Sequence, residues 1–449
     1  MSSFRVEVLA GLTTFFTCVY TIAVNPAMMT EAGMDKTAVF WATTTCCAYG
    51  SIVMGLAANL PLAQAPGMGL NAYFIYYVVG TLGLSWQNAL GCVFLSGFFF
   101  VILSFFKLQQ KIADAVPDCV KYAVGPGIGF FIAFVGLTQA GLVRANPVTL
   151  VELGDFSQPG PLLACLGLLL TVVLYLKKVR GAILLGILFV TFAGLFISDP
   201  AGGQTISVWP EGGLVRLDNP FTALAPTLGQ LSFKGLFGHS GVLLLSVIFT
   251  IFSFLMVDLL NGVAGLLGTA AKVGFFDENG RLPIAGRAMM ITAASNIPAA
   301  WLGAHTVVIY GAESASGIAE GGRTGLTAVV TGLLFLSALV LAPLFLMVPL
   351  LATAPALVMV GIFMMEPLKY IDLGNFEEAF PAFFGVVIIP LTYSIAHGIL
   401  LAILAYTLTR LVNGKWRELD ATVWLLSGAL CLFLGLDLVL KILARTAVG

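Results

Sequence analysis

Apolar stretches of about twenty residues dominate the sequence, and they constrain its fold more than any other feature. A helix of that length crosses a hydrocarbon core about 30 Å thick. The stretches lack the alternating, roughly ten-residue pattern of membrane barrel strands. Fourteen can be marked, at roughly residues 5–24, 37–57, 61–80, 87–106, 118–143, 160–176, 181–198, 240–268, 286–303, 304–320, 324–346, 350–365, 378–395 and 397–412. The sequence therefore predicts an all-α membrane protein with about fourteen transmembrane helices.

Composition supports a membrane protein and excludes other classes. Of the 449 residues, 59% are hydrophobic and 10% are charged, with a mean hydropathy of +1.01. These values leave no room for a large soluble domain. A net charge of −1 without a long basic run offers no electrostatic footprint for nucleic acid.

Basic residues predict the orientation of the chain. They follow the even-numbered apolar segments, whereas loops on the cytoplasmic side are the ones enriched in Lys and Arg. The residues concerned are Lys107, Lys111, Lys121, Lys177, Lys178, Arg180, Lys272, Arg281, Arg287, Arg410, Lys415 and Arg417. We therefore expect the N-terminus to lie on the cytoplasmic side of the membrane. The first segment leads into a long membrane domain, so we interpret it as a span and not as a cleaved signal peptide.

The segments divide into two sets of seven, separated by a polar stretch from Asp199 to about Lys234. An odd number of spans per half places the halves in opposite orientations, as in inverted-repeat transporters. The third segment of each set, which is the third and the tenth of the chain, is short and broken by glycine and proline.

These two breaks predict a binding site. Ala65–Phe74 and Glu313–Thr327 interrupt the membrane with irregular backbone, which is tolerated only around a cavity or inside protein. We expect Gly69-Leu70-Asn71 and Tyr310–Glu313 to face each other near the bilayer midplane, each before a half-helix. Helix N-termini there would suit an acceptor-rich or anionic substrate.

Two acids in apolar segments are the strongest functional candidates, Asp258 and Glu313, because intramembrane charges are costly. Asn261 shares a helical face with Asp258. Glu313 could accept a ring N–H, and both acids could take part in proton coupling by changing protonation. The alternative is that each is a buried hydrogen-bond partner for a neighbouring helix.

Polar and aromatic residues near the breaks complete the candidate substrate site. Asn71 could bind the edge of a heterocycle while Tyr73 or Phe74 covers its face, although Asn71 could also cap the half-helix. Ser314, beside the second acid, is included. Asn25-Pro26 is interpreted as a helix end.

The histidines and cysteines predict no metal or cofactor site. His305, just before the second break, is a candidate for substrate binding and for proton relay, and His397 is a weaker candidate for a relay. The three histidines and seven cysteines lack metal-ligand spacing. Gly67-Met68-Gly69 lacks the remainder of a dinucleotide fingerprint, and Gly321–Gly325 lacks the Walker lysine.

Several stretches together resemble the nucleobase–cation symporter-2 superfamily, in its branch of purine permeases similar to the fungal hypoxanthine–adenine–guanine transporter and bacterial adenine permeases. The resemblance covers nearly the whole chain and is carried by residues 7–15, 25–26, 50–61, 65–74 and 313–330. It implies a core domain that carries substrate, a gate domain that supports a homodimer, and an elevator movement coupled to protons. The residues matching the purine-binding positions are Asn71, Asp258, Asn261 and Glu313.

The resemblance also implies domain boundaries. The expected divisions are a core domain at 1–110 and 238–347, a gate domain at 111–200 and 348–415, a polar extracytoplasmic connection at 201–237 and an additional apolar segment at 416–449. Within the last of these, residues 422–443 could span the membrane or lie at its interface.

The expected function is import of a purine nucleobase by proton symport, with adenine first and hypoxanthine or guanine as alternatives. The chain departs from its relatives at Asn261-Gly262, where they carry an acid and a hydroxyl residue, and at Ala304–Ile309. A different small heterocycle or an anion is therefore the second hypothesis. A membrane enzyme with Asp258 and Glu313 as an acid pair has no supporting motif, and a passive channel would show flux without proton dependence.

Overall fold

The computed structural model describes residues 3–106, 116–198, 205–210, 213, 215, 219–237, 242–273, 284–421, 423–424, 427–428 and 431. Helices account for most of this part of the chain. The elements of the first half are α1 (Phe4–Cys18), α2 (Thr21–Met29), α3 (Lys36–Val53), β1 (Gln64–Pro66), α4 (Met68–Ala72), α5 (Trp86–Phe105), α6 (Asp118–Gln139), β2 (Val143–Asn146), β3 (Leu150–Leu153), α7 (Pro159–Leu176) and α8 (Ala182–Gly194). Two helices continue as π-helix, α3 over Met54–Ala58 and α4 over Tyr73–Thr81.

The second half repeats the pattern of long helices around one short strand. Its elements are α9 (Pro220–Leu224), α10 (Val242–Val273), α11 (Ala285–Leu302), β4 (Val307–Ile309), α12 (Gly311–Ala319), α13 (Gly325–Ala338), α14 (Ala342–Leu346), α15 (Ala354–Phe363), α16 (Phe376–Thr392) and α17 (Ile395–Val412). Short 3₁₀ turns occupy Thr30–Ala32, Leu350–Thr353, Glu366–Tyr370 and Trp416–Glu418.

The apolar segments correspond to these helices. Seven spans among the described residues are long and apolar enough to cross a membrane, and three more apolar helices are shorter. The first segment differs from its expected boundaries because it contains two helices, α1 and α2. Hydrogen bonds from Ile22 N to Val19 O (3.2 Å) and from Ala23 N to Tyr20 O (3.1 Å) turn the chain between them.

Polar side chains begin several of the helices, as N-terminal backbone N–H groups require a partner. The Asp35 carboxylate accepts from Ala38 N at 2.7 Å at the start of α3. Ser85 starts α5 in the same way, with Asn88 N as donor at 3.2 Å. These caps place the helix starts within two residues of the predicted segments.

A β-hairpin between α6 and α7 lies where the sequence marks no element. Strands β2 and β3 pair antiparallel, with Val143 opposite Leu153. Asn146 and Arg144 donate hydrogen bonds to the Glu152 carboxylate and lower its pKa. The fifth apolar segment is correspondingly shorter than predicted, since α6 ends at Gln139.

The helices pack in two groups. In one group α1 and α3 lie against α13, α5 lies against α11, and α10 lies against α5 and α12. In the other group α6 packs against α15, α16 and α17, and α7 against α8 and α15. Helices α6 and α16 approach closely at Gly127, where a Cβ would lie 2.2 Å from the carbonyl oxygen of Gly385. Residues 422–443 fall mainly outside the described residues, so the expected additional apolar segment stays a prediction.

Candidate substrate-binding site

The two broken segments meet through their short strands. β1 and β4 pair antiparallel, with Ala65 opposite Val308. The Tyr310 hydroxyl donates to Pro66 O at 2.6 Å, and its backbone N–H donates to Ala63 O at 3.0 Å. All of these residues are buried. The pairing satisfies the non-helical backbone inside the protein, as the sequence predicts. The antiparallel register places the starts of α4 and α12 at opposite ends of the strand pair. Residues 69–71 and 311–313 lie within these helices, whereas the sequence predicts them before each half-helix.

Ser314 adds a side-chain hydrogen bond between the two broken segments. Its hydroxyl accepts a hydrogen bond from Ala63 N at 2.9 Å, and it is fully buried in the first turn of α12. The structure therefore gives Ser314 a scaffold contact between the two breaks. Its role in substrate binding stays a prediction.

Glu313 occupies the first turn of α12 and is partly exposed, whereas most of its neighbours are buried. Its Oε1 accepts a hydrogen bond of 3.2 Å from the Tyr20 hydroxyl, at the junction of α1 and α2. Its backbone carbonyl accepts from Ser316 Oγ (2.6 Å) and from Thr17 Oγ1 (3.2 Å). Glu313 thus lies in the first turn of a helix, accepts a hydrogen bond from a tyrosine hydroxyl and is partly exposed.

Asp258, in α10, is fully buried and has one paired oxygen. Asn296 of α11 donates from Nδ2 to Asp258 Oδ2 at 2.8 Å, and Asn296 Oδ1 accepts from Val307 N at 2.5 Å. The second carboxylate oxygen, Oδ1, has no hydrogen-bond partner. Sequence reasoning missed Asn296, although an amide in the middle of an apolar segment is the same kind of signal as Asp258.

Asn261 lies one turn after Asp258 and is partly exposed. Within the described part of the chain its side chain forms no hydrogen bond. The predicted common face with Asp258 follows from the helix, but the two side chains are buried to different extents. Asn261 is the more accessible of the two.

Asn71, in α4, is fully buried and takes part in a chain of amide hydrogen bonds. Its Nδ2 donates to Asn25 Oδ1 at 2.6 Å, and Asn25 Nδ2 donates to Thr43 Oγ1 at 2.6 Å. Asn71 Oδ1 has no partner. The interpretation of Asn25-Pro26 as a helix end is wrong, because α2 continues through both residues to Met29 and Asn25 holds the candidate Asn71.

The aromatic candidates Phe74 and Tyr73 each pack against another ring. Phe74 stacks on the His305 ring, with centroids 6.1 Å apart and an interplanar angle of 23°. Tyr73 stacks on Tyr77 (5.2 Å) and contacts the edge of Phe254 (5.3 Å). Its buried hydroxyl has no hydrogen-bond partner. The His305 ring thus lies against one face of Phe74, a ring that the sequence predicts as a candidate to cover substrate.

His305 precedes β4 in a left-handed backbone conformation, with φ of 54°. Its Nδ1 accepts a hydrogen bond from the backbone N–H of Thr306 and contacts the Thr306 hydroxyl at 2.8 Å. A neutral imidazole that accepts at Nδ1 carries its proton on Nε2. That Nε2 is buried without a partner, so His305 supplies an unused donor.

A further acid, Glu7 of α1, is buried and was not selected from the sequence. Its carboxylate accepts from Arg323 N (3.1 Å), from Thr324 N (3.2 Å) and from the Thr327 hydroxyl. These donors surround the start of α13, where backbone N–H groups need acceptors. Glu7 therefore anchors the Gly321–Gly325 loop to α1. Among the described residues no three His, Cys, Asp or Glu side chains cluster in a way that could hold a metal ion.

The chain is similar to known permeases. Residues 5–401 match the model of the permease family Xan_ur_permease. A putative permease of Methanocaldococcus jannaschii is 41% identical over 95% of this chain and 94% of its own. The adenine permease AdeQ of Escherichia coli is 37% identical over 93% of this chain and 90% of its own, and the guanine/hypoxanthine permease PbuO of Bacillus subtilis is 37% identical over 94% and 95%.

A solved structure shows the same fold. The transmembrane domain of a cyanobacterial bicarbonate transporter, BicA, superposes with a TM-score of 0.61 at 15% identity, covering 89% of this chain and 97% of that domain. The fold is therefore an integral membrane bundle of two inverted seven-segment repeats. From its sequence over residues 5–401 and its identity to these relatives, the chain belongs to the permease family of nucleobase–cation symporter-2 proteins and is not an enzyme.

Proposed function

We propose that this permease imports purine nucleobases by proton symport. The observation that carries the proposal is a set of buried polar atoms without partners beside the paired breaks: Asn71 Oδ1, Asp258 Oδ1 and His305 Nε2. Leaving such atoms unpaired costs about 1–3 kcal/mol each, so a ligand that pairs with them gains affinity. Two acceptors and one donor beside aromatic rings match the edge and the faces of a nucleobase.

The relatives support a purine as cargo. Proteins named for adenine and for guanine/hypoxanthine are equally similar to this chain, at 37% identity for AdeQ and for PbuO. Identity alone therefore does not separate the two kinds of purine. We keep adenine as the first expectation, with hypoxanthine and guanine as alternatives.

Proton coupling is assigned to Glu313, with Asp258 as the second acid. Glu313 combines partial exposure with a Tyr20 hydroxyl at 3.2 Å, so a ligand and a proton can both reach its carboxylate. Asp258 is enclosed and already paired with Asn296. In the proposed cycle Glu313 takes up a proton on the outer side as the purine binds, and the carbonyl oxygen of its carboxyl group accepts the purine N–H. The carboxyl then loses that proton to the cytoplasm as the purine is released there.

The two groups of packed helices support an elevator movement. The proposed core domain comprises residues 1–110 and 238–347, and the proposed gate domain comprises residues 111–200 and 348–415. An extracytoplasmic connection at 201–237 joins the two halves of the chain, and a further apolar segment follows at 416–449. The core would carry the site past the gate. We propose a homodimer in the bacterial inner membrane, with the N-terminus in the cytoplasm.

An anion is a less favoured candidate substrate than a purine. The fold is shared with a bicarbonate transporter, but at 15% identity that likeness concerns the fold alone. The unpaired atoms include a carboxylate oxygen of Asp258, and Glu313 lies in the first turn of α12, shortly after β4. An anion at this site would therefore meet like charge. Another small neutral heterocycle stays compatible with the same donors and acceptors.

The test is uptake of radiolabelled adenine, hypoxanthine, guanine and uracil into proteoliposomes, with and without an inward proton gradient. We expect saturable, gradient-driven uptake of a purine that Glu313→Gln abolishes. Glu366→Gln is the matched control, since Glu366 lies on an exposed turn and pairs with Lys369. Uptake of none of the four bases would contradict the proposed cargo, and uptake independent of the gradient would contradict symport.

A further inference from the structure

Thr43, Asn25 and Asn71 form a linear hydrogen-bond chain that ends at an unpaired atom. The three side chains come from α3, α2 and α4 and are fully buried. Asn71 Nδ2 donates to Asn25 Oδ1 and Asn25 Nδ2 donates to Thr43 Oγ1, each at 2.6 Å. The last atom, Asn71 Oδ1, has no partner and is an acceptor available to substrate.

The hydrogen bonds that join Thr43, Asn25 and Asn71 can also form with every donor and acceptor exchanged. A hydroxyl both donates and accepts, and an amide exchanges Oδ1 with Nδ2 when it rotates by half a turn. After such a reversal the Thr43 hydroxyl donates to Asn25 Oδ1, and Asn25 Nδ2 donates to Asn71 Oδ1. Asn71 Nδ2 then becomes the unpaired atom. Both directions keep two hydrogen bonds, so they differ little in free energy.

We propose that Thr43, Asn25 and Asn71 act as a reversible amide relay, which lets Asn71 present either an acceptor or a donor to the purine. This inference rests on the proposed function and concerns its specificity. Asn25 is a positioning residue in the relay, because it acts on the substrate through Asn71. Met68 Sδ, 3.9 Å from Asn71 Nδ2, is a weak acceptor and adds a small bias toward the direction observed.

The relay has a direct consequence for purine selection. Adenine has a donor at its 6-amino group and an acceptor at N1, whereas hypoxanthine has an acceptor at its 6-oxo group and a donor at N1. An amide fixed in one direction suits only one of these two bases at either position. A relay that reverses suits both, so a single site would bind 6-amino and 6-oxo purines with similar affinity.

The experiment is competition binding on the purified full-length protein, with radiolabelled adenine displaced by unlabelled hypoxanthine. Asn25→Asp holds the relay in one direction, because a carboxylate accepts from both Thr43 and Asn71 and donates to neither. We expect the ratio of the adenine affinity to the hypoxanthine affinity to change by about tenfold or more. The base that no longer fits loses its hydrogen bond to Asn71 and instead places an acceptor against an acceptor, or a donor against a donor.

Two further variants separate the relay from a merely structural role. Thr43→Val removes the end of the chain but leaves Asn25 able to rotate, so both affinities should fall together with their ratio preserved. Asn71→Asp presents only acceptors and should shift the ratio in the same direction as Asn25→Asp. This second shift keeps the test available if Asn25→Asp does not fold.

The outcomes are distinct. An unchanged ratio in Asn25→Asp and Asn71→Asp, or opposite shifts in the two, would overturn the relay while leaving purine transport intact. Binding of only one of the two bases by the unmodified protein would also overturn it. If the unmodified protein binds neither base, the proposed function fails and the relay fails with it.

Discussion

Asn296 joins Asp258 to the strand that leads into the second half-helix. Its Nδ2 donates to Asp258 Oδ2 at 2.8 Å and its Oδ1 accepts from the backbone N–H of Val307 at 2.5 Å. One buried amide therefore links α10, α11 and β4. The position of Asp258 relative to the pairing of the two breaks depends on this side chain.

Replacing Asn296 with Ala should destabilise the protein and abolish uptake. The change leaves a buried carboxylate oxygen and a buried N–H without partners, at about 1–3 kcal/mol each. The measurement is thermal unfolding in detergent together with purine uptake. Asn413→Ala is the control, because Asn413 is exposed and its hydrogen bond to Glu377 lies at the surface. Equal unfolding temperatures for both variants would contradict the role given to Asn296.

Tyr20→Phe should reduce proton-driven uptake with little effect on folding. The substitution removes only the hydroxyl that donates to Glu313 Oε1, and a hydrogen bond to a charged group contributes about 1.5–3 kcal/mol. We expect a several-fold loss of uptake and a changed pH profile. Tyr49→Phe serves as control, since Tyr49 is exposed on α3. A pH profile identical to that of the unmodified protein would separate Tyr20 from coupling.

Gly311→Ala should inactivate the transporter. A Cβ on Gly311 would lie 2.6 Å from the Cα of Gly265 and 2.7 Å from its carbonyl oxygen, so α12 would have to move away from α10. Gly125→Ala is a matched control within α6, where the nearest atom to an added Cβ is 3.8 Å away. We expect uptake to be lost in the first variant and kept in the second. Normal uptake by Gly311→Ala would mean that the two helices tolerate separation at the site.

Gln139→Ala should change the rate of transport without changing purine affinity. Gln139 Nε2 donates to Glu31 Oε1 (3.0 Å) and to the Tyr76 hydroxyl (2.9 Å), which connects α6 to the end of α2 and to the π-helical continuation of α4. If the core moves past the gate, these bonds break in every cycle. The check compares uptake rate with equilibrium binding of adenine.

The control for that prediction is Lys369→Gln, which removes an exposed ion pair with Glu366 on one short turn. We expect it to leave both quantities unchanged. A loss of adenine affinity in Gln139→Ala, at unchanged maximal rate, would place Gln139 at the substrate site and not at a moving interface.

Several parts of the fold follow from local sequence. Apolar length predicts the spans, because a helix must cover the hydrocarbon core regardless of its neighbours. Glycine and proline in the third and tenth segments predict the breaks, which appear as β1 with α4 and as β4 with α12. Asp258 and Glu313 are visible as candidates because an acid in an apolar segment is costly wherever it lies.

Only the tertiary structure decides which polar groups meet. Asn25, read from sequence as a helix end, holds Asn71 from 46 positions away, and Asn296 holds Asp258 from 38 positions away. Hydropathy indicates whether a segment lies in lipid or in water. Because all the spans lie in the same lipid, hydropathy does not indicate which helices are neighbours. Hydrogen bonds between segments depend on that packing, so the site's partners emerge only when the helices are assembled.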